Sequence, residues 1–381
     1  MEREIKEVKH KGRIAQTGIY LGKLFRMFIF QSDWKVLPMA AVIAGLVCFV
    51  VGNNLFVTME GTLLGTFALS CICIWNGFFN SIQVICRERA IVKREHRSGM
   101  HISSYIAAHM IYQAFLCLCQ SVITIQICRM MKVTFPAVPQ ITASVLVDIG
   151  ITLFLTTYAA DMMALMVSAF VHNTTTAMTI MPFLLIFQLV FSGGFFSLEG
   201  FSLKLTNLTV AKWGLTALCT QADYNHLPMV LLWNSAYKLK DIEINLDNKE
   251  EITNTVKDEL SDVFVDQEVL NEVKDILVAE GIDLDKPLSN EGAEELNLIL
   301  KREGIDVQIQ GKKPVWEVMH YIEENGMRDE LLLKSAEFNQ NPSYDGGAFN
   351  VLKCWSVLIL FIAVFSGLSV ISLEFIDKDK R

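Results

Sequence analysis

The sequence predicts an α-helical polytopic membrane protein. It would have six transmembrane helices, both termini in the cytoplasm, a short cytoplasmic helix between spans two and three, and a small α/β extracytoplasmic insert. Three observations carry that expectation. The 381 residues are 52% hydrophobic and 19% charged, with a mean hydropathy of +0.37, too apolar for a soluble chain of this size. Six apolar runs reach the roughly 20 residues that a helix needs to cross about 30 Å of hydrocarbon. Lysine and arginine are concentrated in alternate connections between those runs.

Residues 1–35 read as a basic tail followed by an interfacial helix. Positions 12–31 mix Ile14, Ile19, Leu24 and Phe28 with Lys23 and Arg26, the composition of a helix lying along a membrane surface. About 35 residues of mixed, basic sequence precede the first apolar run, unlike a secretory signal, so the tail is expected to stay inside. The spans are expected at residues 36–56, 62–85, 105–127, 141–170, 177–196 and 351–374. A very short link joins the first two into a hairpin, and a link with Pro136 and Pro139 joins the third to the fourth.

Orientation follows from the cations. Arg13, Lys23, Arg26 and Lys35 precede span one; Arg87, Arg89, Lys93, Arg94 and Arg97 follow span two; Lys378, Lys380 and Arg381 end the chain. All three segments belong inside, and only Arg129 and Lys132 run against the pattern. Residues 36–202 then form spans one to five, and residues 350–376 contain span six. Residues 203–225 are apolar but interrupted by Lys204, Asn207, Lys212 and Gln221, which suits a re-entrant or interfacial element on the outer face.

Residues 234–348 differ in kind. From 236 to 348 there are about 27 acidic and about 12 basic side chains, roughly −15, so the rest is positive although the whole chain is −8. Helical periodicity at 256–277, 293–302 and 314–325, with a strand-like alternation at 307–310, predicts a small extracytoplasmic α/β domain. The nine cysteines all lie in or beside apolar stretches; C-x-C pairs such as Cys71/Cys73 point to different sides of a helix and make poor metal clamps. They read as small buried apolar residues, with neither disulfide framework nor metal implied.

Two carboxylates fall within span four, Asp148 and Asp161. An intramembrane acid is costly, so each is a candidate proton or cation site, or else a structural group paired within the protein. His109 in span three reads as a packing residue. No G-x-x-x-x-G-K-S/T pattern occurs, the fragment from Gly18 to Lys23 having the wrong spacing, and neither H-E-x-x-H nor G-x-S-x-G is present. The chain is therefore read as a non-enzyme that needs ATP hydrolysis from another polypeptide if it is driven by ATP.

The most informative string is CRERAIVKREHRSGMHISSY at residues 86–105, preceded by Phe79-Asn80-Ser81-Ile82. Glu88-Arg89, Arg94-Glu95-His96, the Ser98-Gly99 turn and Tyr105 closely resemble the coupling-helix region of type-2 ABC exporter permeases, in particular the G subfamily of multidrug and sterol exporters and its bacterial counterparts. DMMALMVSAF at 161–170, His172-Asn173-Thr174, and the fifth span ending in Phe191-Ser192-Gly193-Gly194 extend the likeness over about residues 12–225 and 350–376. The long acidic insert departs from that pattern.

The resemblance implies a plasma-membrane permease that works as a homo- or heterodimer in contact with membrane lipid and exports a hydrophobic or amphipathic substrate across the membrane. Its partner would be a nucleotide-binding ATPase subunit carrying ATP and Mg²⁺; no nucleic acid is implied. Residues 86–104 would be the coupling helix, with Glu88, Arg89, Arg94, Glu95, His96 and Tyr105 at the matching positions. The substrate cavity would lie between spans two and five, presenting Asn76, Phe79, Asn80, Gln83, Phe183, Phe187 and Phe191, with an outer constriction at Gly193 and Gly194. Two other classes fit the composition: a membrane sensor or scaffold whose outer domain binds a ligand, and a secondary transporter using Asp148 or Asp161. Neither a signalling module nor an inverted repeat is visible in support.

Overall fold

A computed structural model describes residues 12–30, 33–194, 200–240 and 314–375. Among them helix predominates and no strand occurs. The basic residues before Gly12, the periodic stretches at 256–277 and 293–302, the alternation at 307–310, the end of span five at 195–196 and the last six residues lie outside the described residues.

The chain divides into two compact units. The first comprises residues 1–225 and 341–381. It opens with α1 (Arg13–Phe30), followed by a short 3-10 turn and α2 (Val36–Val51). Helix α2 is apolar throughout and stops where Gly52, Asn53 and Asn54 begin; Phe56 then takes a left-handed conformation (φ 63°) that turns the chain back. Thr58 caps the next helix, α3 (Met59–Ser81), accepting a hydrogen bond from the N–H of Gly61 at 3.1 Å, and Glu60 complements its positive end. Two residues later α4 (Val84–Arg97) begins, and α5 (Ile102–Met130) follows after a four-residue turn.

Between α5 and α6 (Val145–Phe170) the chain is irregular, and Asp148 organises it. Its carboxylate accepts from the backbone N–H groups of Gln140 and Ile141 at 2.9 and 3.0 Å and of Thr142 at 2.9 Å. The helix therefore starts at Val145 and not at 141, because those three N–H groups are turned toward the carboxylate instead of into a helix. Helix α7 (Thr174–Val190) contains Pro182; α8 (Gly200–Thr206) and α9 (Val210–Gln221) follow, and the last helix of this unit, Gly347–Glu374, closes the bundle.

Helix α6 is its centre. It is buried on nearly every face, packing against α3, α5, α9 and the last helix. Hydrogen bonds fix the arrangement: Gln221 Nε2 donates to the Asp148 carbonyl and to Thr152 Oγ1, and Trp355 Nε1 donates to that same hydroxyl at 2.8 Å. Gly77 on α3 meets α6 so closely that a Cβ there would fall 2.5 Å from the Thr157 carbonyl oxygen and 2.7 Å from the Asp161 nitrogen. Outward positions of the final helix, including Leu352, Ile359, Leu360 and Ile371, are exposed and apolar, as expected of a surface solvated by lipid.

Among the described residues, four helical stretches are long and apolar enough to cross a membrane: Met59–Arg97 (α3 running on into α4), Ile102–Met130, Val145–Phe170 and Gly347–Glu374. Helices α2 and α7 are apolar but shorter, at 16 and 17 residues. The protein is thus a multi-pass helical membrane protein.

The second unit, residues 226–340, contains α10 (Leu231–Leu239), α11 (Pro314–Glu324) and α12 (Arg328–Glu337) among its described residues. Trp233, Met319 and Leu332 form its small core, and the Met229 N–H donates to the Leu332 carbonyl at 3.1 Å. The final helix of the first unit, Gly347–Glu374, is α13.

Candidate functional site: the α4 junction

Helix α4 carries the charged string, and its two faces have separate tasks. It begins without a side-chain cap of its own. The cap comes from α6: the hydroxyl oxygen of buried Ser168 accepts from the backbone N–H groups of Ile85 and Cys86 at 3.0 and 3.1 Å. The exchange is reciprocal. Arg89 of α4 donates from Nη1 to the carbonyls of Ala169 and Val171 at 2.7 and 3.4 Å, neutralising the negative end of α6.

Helix α1 holds α4 from another side, antiparallel to it. Gln16, Tyr20 and Lys23, spaced i, i+4, i+7, fall on one stripe of α1. Gln16 bridges the turn after α4, donating to the Gly99 carbonyl at 3.3 Å and accepting from the His101 N–H at 2.9 Å. Tyr20 donates its hydroxyl to Glu95 at 2.8 Å, and Lys23 pairs with Glu88 at 3.1 Å. Burial together with the neighbouring Glu95 carboxylate pushes the Tyr20 phenol well above its ordinary pKa. Helix α1 also packs along α5 through edge-to-face ring pairs, Tyr20 with Tyr105 at 5.6 Å and Phe25 with Tyr112 at 5.7 Å.

Helix α4 ends on a glycine stop. Gly99 has φ 97°, the Gly99 N–H reaches the His96 carbonyl, and the Met100 N–H reaches that of Glu95, while the Met100 side chain enters the core. His96 Nδ1 lies 3.1 Å from the Met100 carbonyl. Of the six positions matched by resemblance, Glu88, Arg89, Glu95 and His96 are partly buried with partners inside the protein, and Tyr105 is 1% exposed. Only Arg94 of the six is exposed. With Arg87, Ala90, Ile91 and Arg97, at spacings of three and four, it forms the outward stripe of α4, three cations around one large apolar residue.

The residues expected to line a cavity separate into two groups. Phe79 and Phe183 are exposed, Phe79 stacks obliquely on exposed Trp75 at 5.6 Å, and Phe187 meets Phe191 at 4.9 Å. Asn76 is buried, and Gln83 is half-buried at the joint between α3 and α4. Asn80 turns inward: its Nδ2 donates to Gln120 at 3.0 Å and to Asp161 Oδ2 at 3.3 Å, while Gln120 donates back to its Oδ1. Cys117 donates to the same Asp161 oxygen at 3.2 Å. Asp161 is fully enclosed, with the buried Ser81 side chain beside it. Gly193 has φ 77° and, among the described residues, no atom within 4 Å of where a Cβ would sit, whereas Gly194 fits against Leu215 and Phe67.

Sequence reasoning missed Ser168, Gln16 and Tyr20. A lone serine in an apolar run carries no signal of its role; the polar stripe on α1 was there to be found. Asp148, a candidate ion site in the sequence, is engaged by three backbone N–H groups as a loop organiser.

These features define a multi-pass membrane protein in which a charged helix, set between two apolar ones, is anchored on two sides and exposes a third. The model of the ABC-2 type transporter family matches residues 24–218, just over half of the 381-residue chain. The chain belongs to that family and is a membrane domain of an ABC transporter, a permease rather than an enzyme. The match runs from Leu24 in α1 almost to the end of α9; it contains α4 and Ser168 of the junction and begins just after Gln16, Tyr20 and Lys23. Comparison with curated proteins gives no match.

Proposed function

We propose that the protein is the permease subunit of an ABC exporter, akin to the G subfamily, that moves a hydrophobic or amphipathic substrate using a separate ATPase subunit, with α4 as its coupling helix. The observation that carries this reading is the division of α4 into an anchored face and an exposed basic stripe. A lever must be held firmly by the part it moves and must present something to the part that moves it. Glu88, Arg89 and Glu95 do the first through Lys23, the α6 carbonyls and Tyr20; Arg94 and Arg97 are placed for the second.

In this reading α2 and α7 complete six spans, the α4 side and both termini are cytoplasmic by their cations, and residues 234–348 face outward. Two permeases, alike or different, bring α3 and α7 together, and exposed Trp75, Phe79 and Phe183 offer an aromatic surface to an amphipathic substrate. ATP and Mg²⁺ belong to the partner subunit. ATP-driven closure shifts the permease only to the extent that the ATPase binds α4 differently in the two states. An acidic socket suits Arg94 and Arg97.

The test is affinity capture of tagged protein from solubilised membranes, with ATPase assayed in the eluate. Wild type should bring down a nucleotide-binding subunit, and Arg94→Glu should lose it while eluting as folded protein; folded wild type that brings down no ATPase in several detergents would end this reading. A second reading, secondary transport through Asp161, is favoured only by that enclosed carboxylate, and predicts uptake or efflux that persists without ATP.

A further inference from the structure

We infer that the cleft between α1 and α4 is a binding site for the phosphate headgroup of an anionic glycerophospholipid. The cleft has a volume of about 590 Å³, in the range of small-molecule sites. Its charge is unbalanced. Lys23 and Glu88 neutralise each other across the cleft at 3.1 Å, which leaves Arg26 on the α1 wall and Arg87 on the α4 wall. Both arginines are exposed, and among the described residues neither guanidinium has a hydrogen bond or ion pair. Two guanidiniums from opposite walls suit a phosphodiester, whose oxygens accept from planar donors bidentately.

The rest of the lining selects a lipid over a soluble anion. Met27, Phe30 and Ile91 share the cleft with the arginines, and Phe30 is 81% exposed. A site for a free anion has no use for such a side chain beside its charges. An acyl chain lying on Phe30 and Ile91 with its phosphate between Arg26 and Arg87 uses both parts. Helix α4 continues α3 in a stretch long and apolar enough to cross a membrane, and the cleft falls at the charged end of that stretch, where headgroups would sit. Of the outward stripe, Arg87 and Ile91 line the cleft, while Arg94 and Arg97, the two placed toward the ATPase, stay outside it.

The test uses purified full-length protein without any ATPase, titrated in mild detergent with phosphatidylglycerol or phosphatidylcholine and followed by native mass spectrometry. Wild type should retain one phosphatidylglycerol in preference to phosphatidylcholine. With about fivefold per surface cation near an anionic lipid, Arg26→Gln with Arg87→Gln should weaken that retention about 25-fold, and the double lysine variant should restore most of it. Phe30→Ser with Ile91→Ser should weaken lipid binding without changing the weak competition by glycerophosphate. Equal retention of the two lipids by wild type, or no loss in the glutamine variant with an unchanged elution profile, overturns the inference. Displacement of phosphatidylglycerol by equimolar glycerophosphate or inorganic phosphate would assign the arginines to a free phosphate and overturn the lipid half.

Discussion

Ser168→Ala removes one oxygen atom and should loosen the start of α4. The Ser168 hydroxyl is the acceptor for two backbone N–H groups, those of Ile85 and Cys86, at 3.0 and 3.1 Å. Both N–H groups lie at buried residues where no side-chain cap from α4 itself stands in, and Ser168 is fully buried, so water has little access. Each orphaned donor costs about 1–3 kcal/mol, offset in part by no longer burying a hydroxyl, so a net loss of about 2–3 kcal/mol is expected. Under conditions where amide exchange follows the opening equilibrium, that is an acceleration of about 30- to 140-fold for the first turn of α4. Hydrogen exchange by mass spectrometry on protein in nanodiscs reads it directly from peptides covering Val84–Arg97. Ser356→Ala is the control, since that exposed hydroxyl donates only to the Leu352 carbonyl of its own helix. A change below about threefold in α4 would refute the idea that α6 caps α4.

Three further outcomes are expected. Gly77→Ala places a methyl 2.5 Å from the Thr157 carbonyl and 2.9 Å from the Ala160 Cβ, against backbone that cannot yield cheaply; it should cost about 3 kcal/mol in thermal unfolding, whereas Gly45→Ala, with nothing within 4 Å, should cost none. Asp161→Asn should keep stability, because an amide oxygen can still accept from Asn80 and Cys117; Asp161→Ala should cost about 2–4 kcal/mol, and the reverse order would refute the hydrogen bonds assigned to this position. Tyr20 is neutral when protonated and its folded pKa is raised, so the stability it contributes is fully present below the unfolded value of about 10 and is lost as pH rises through the higher folded value. The wild-type minus Tyr20→Phe tyrosinate spectrum should therefore show no ionisation near pH 10, and a normal titration there would disprove the Glu95 contact.

Apolar helices were legible because sustained apolar runs leave a chain few alternatives in lipid. Their ends were less so. Span one was expected to reach residue 56, yet α2 stops at Val51 because two asparagines and the left-handed Phe56 make the turn. Span five was expected to reach residue 196, but α7 ends at Val190. The pair of acids shows the limit most clearly. Asp148 and Asp161 are the same residue type in one apolar helix, and only the fold determines that one meets three loop N–H groups while the other meets Asn80 and Cys117. At α4 the string located the junction without revealing its sides, because a charge that pairs inward, such as Glu88, and one that faces out, such as Arg94, look alike until another helix is placed beside them.

The joint between α3 and α4 has a consequence for how this gene can vary. Only Ile82 and Gln83 separate the two helices, and both keep right-handed helical backbone angles, so Met59–Arg97 is nearly one continuous rod. A residue inserted or deleted there would rotate all of α4 by about 100° against the bundle. Glu88 would leave Lys23, Arg89 would leave the end of α6, and the basic stripe would turn toward the protein. Most connections between helices tolerate changes of length, because slack absorbs them. This one has none, and its residue count is as constrained as the identity of any side chain it carries.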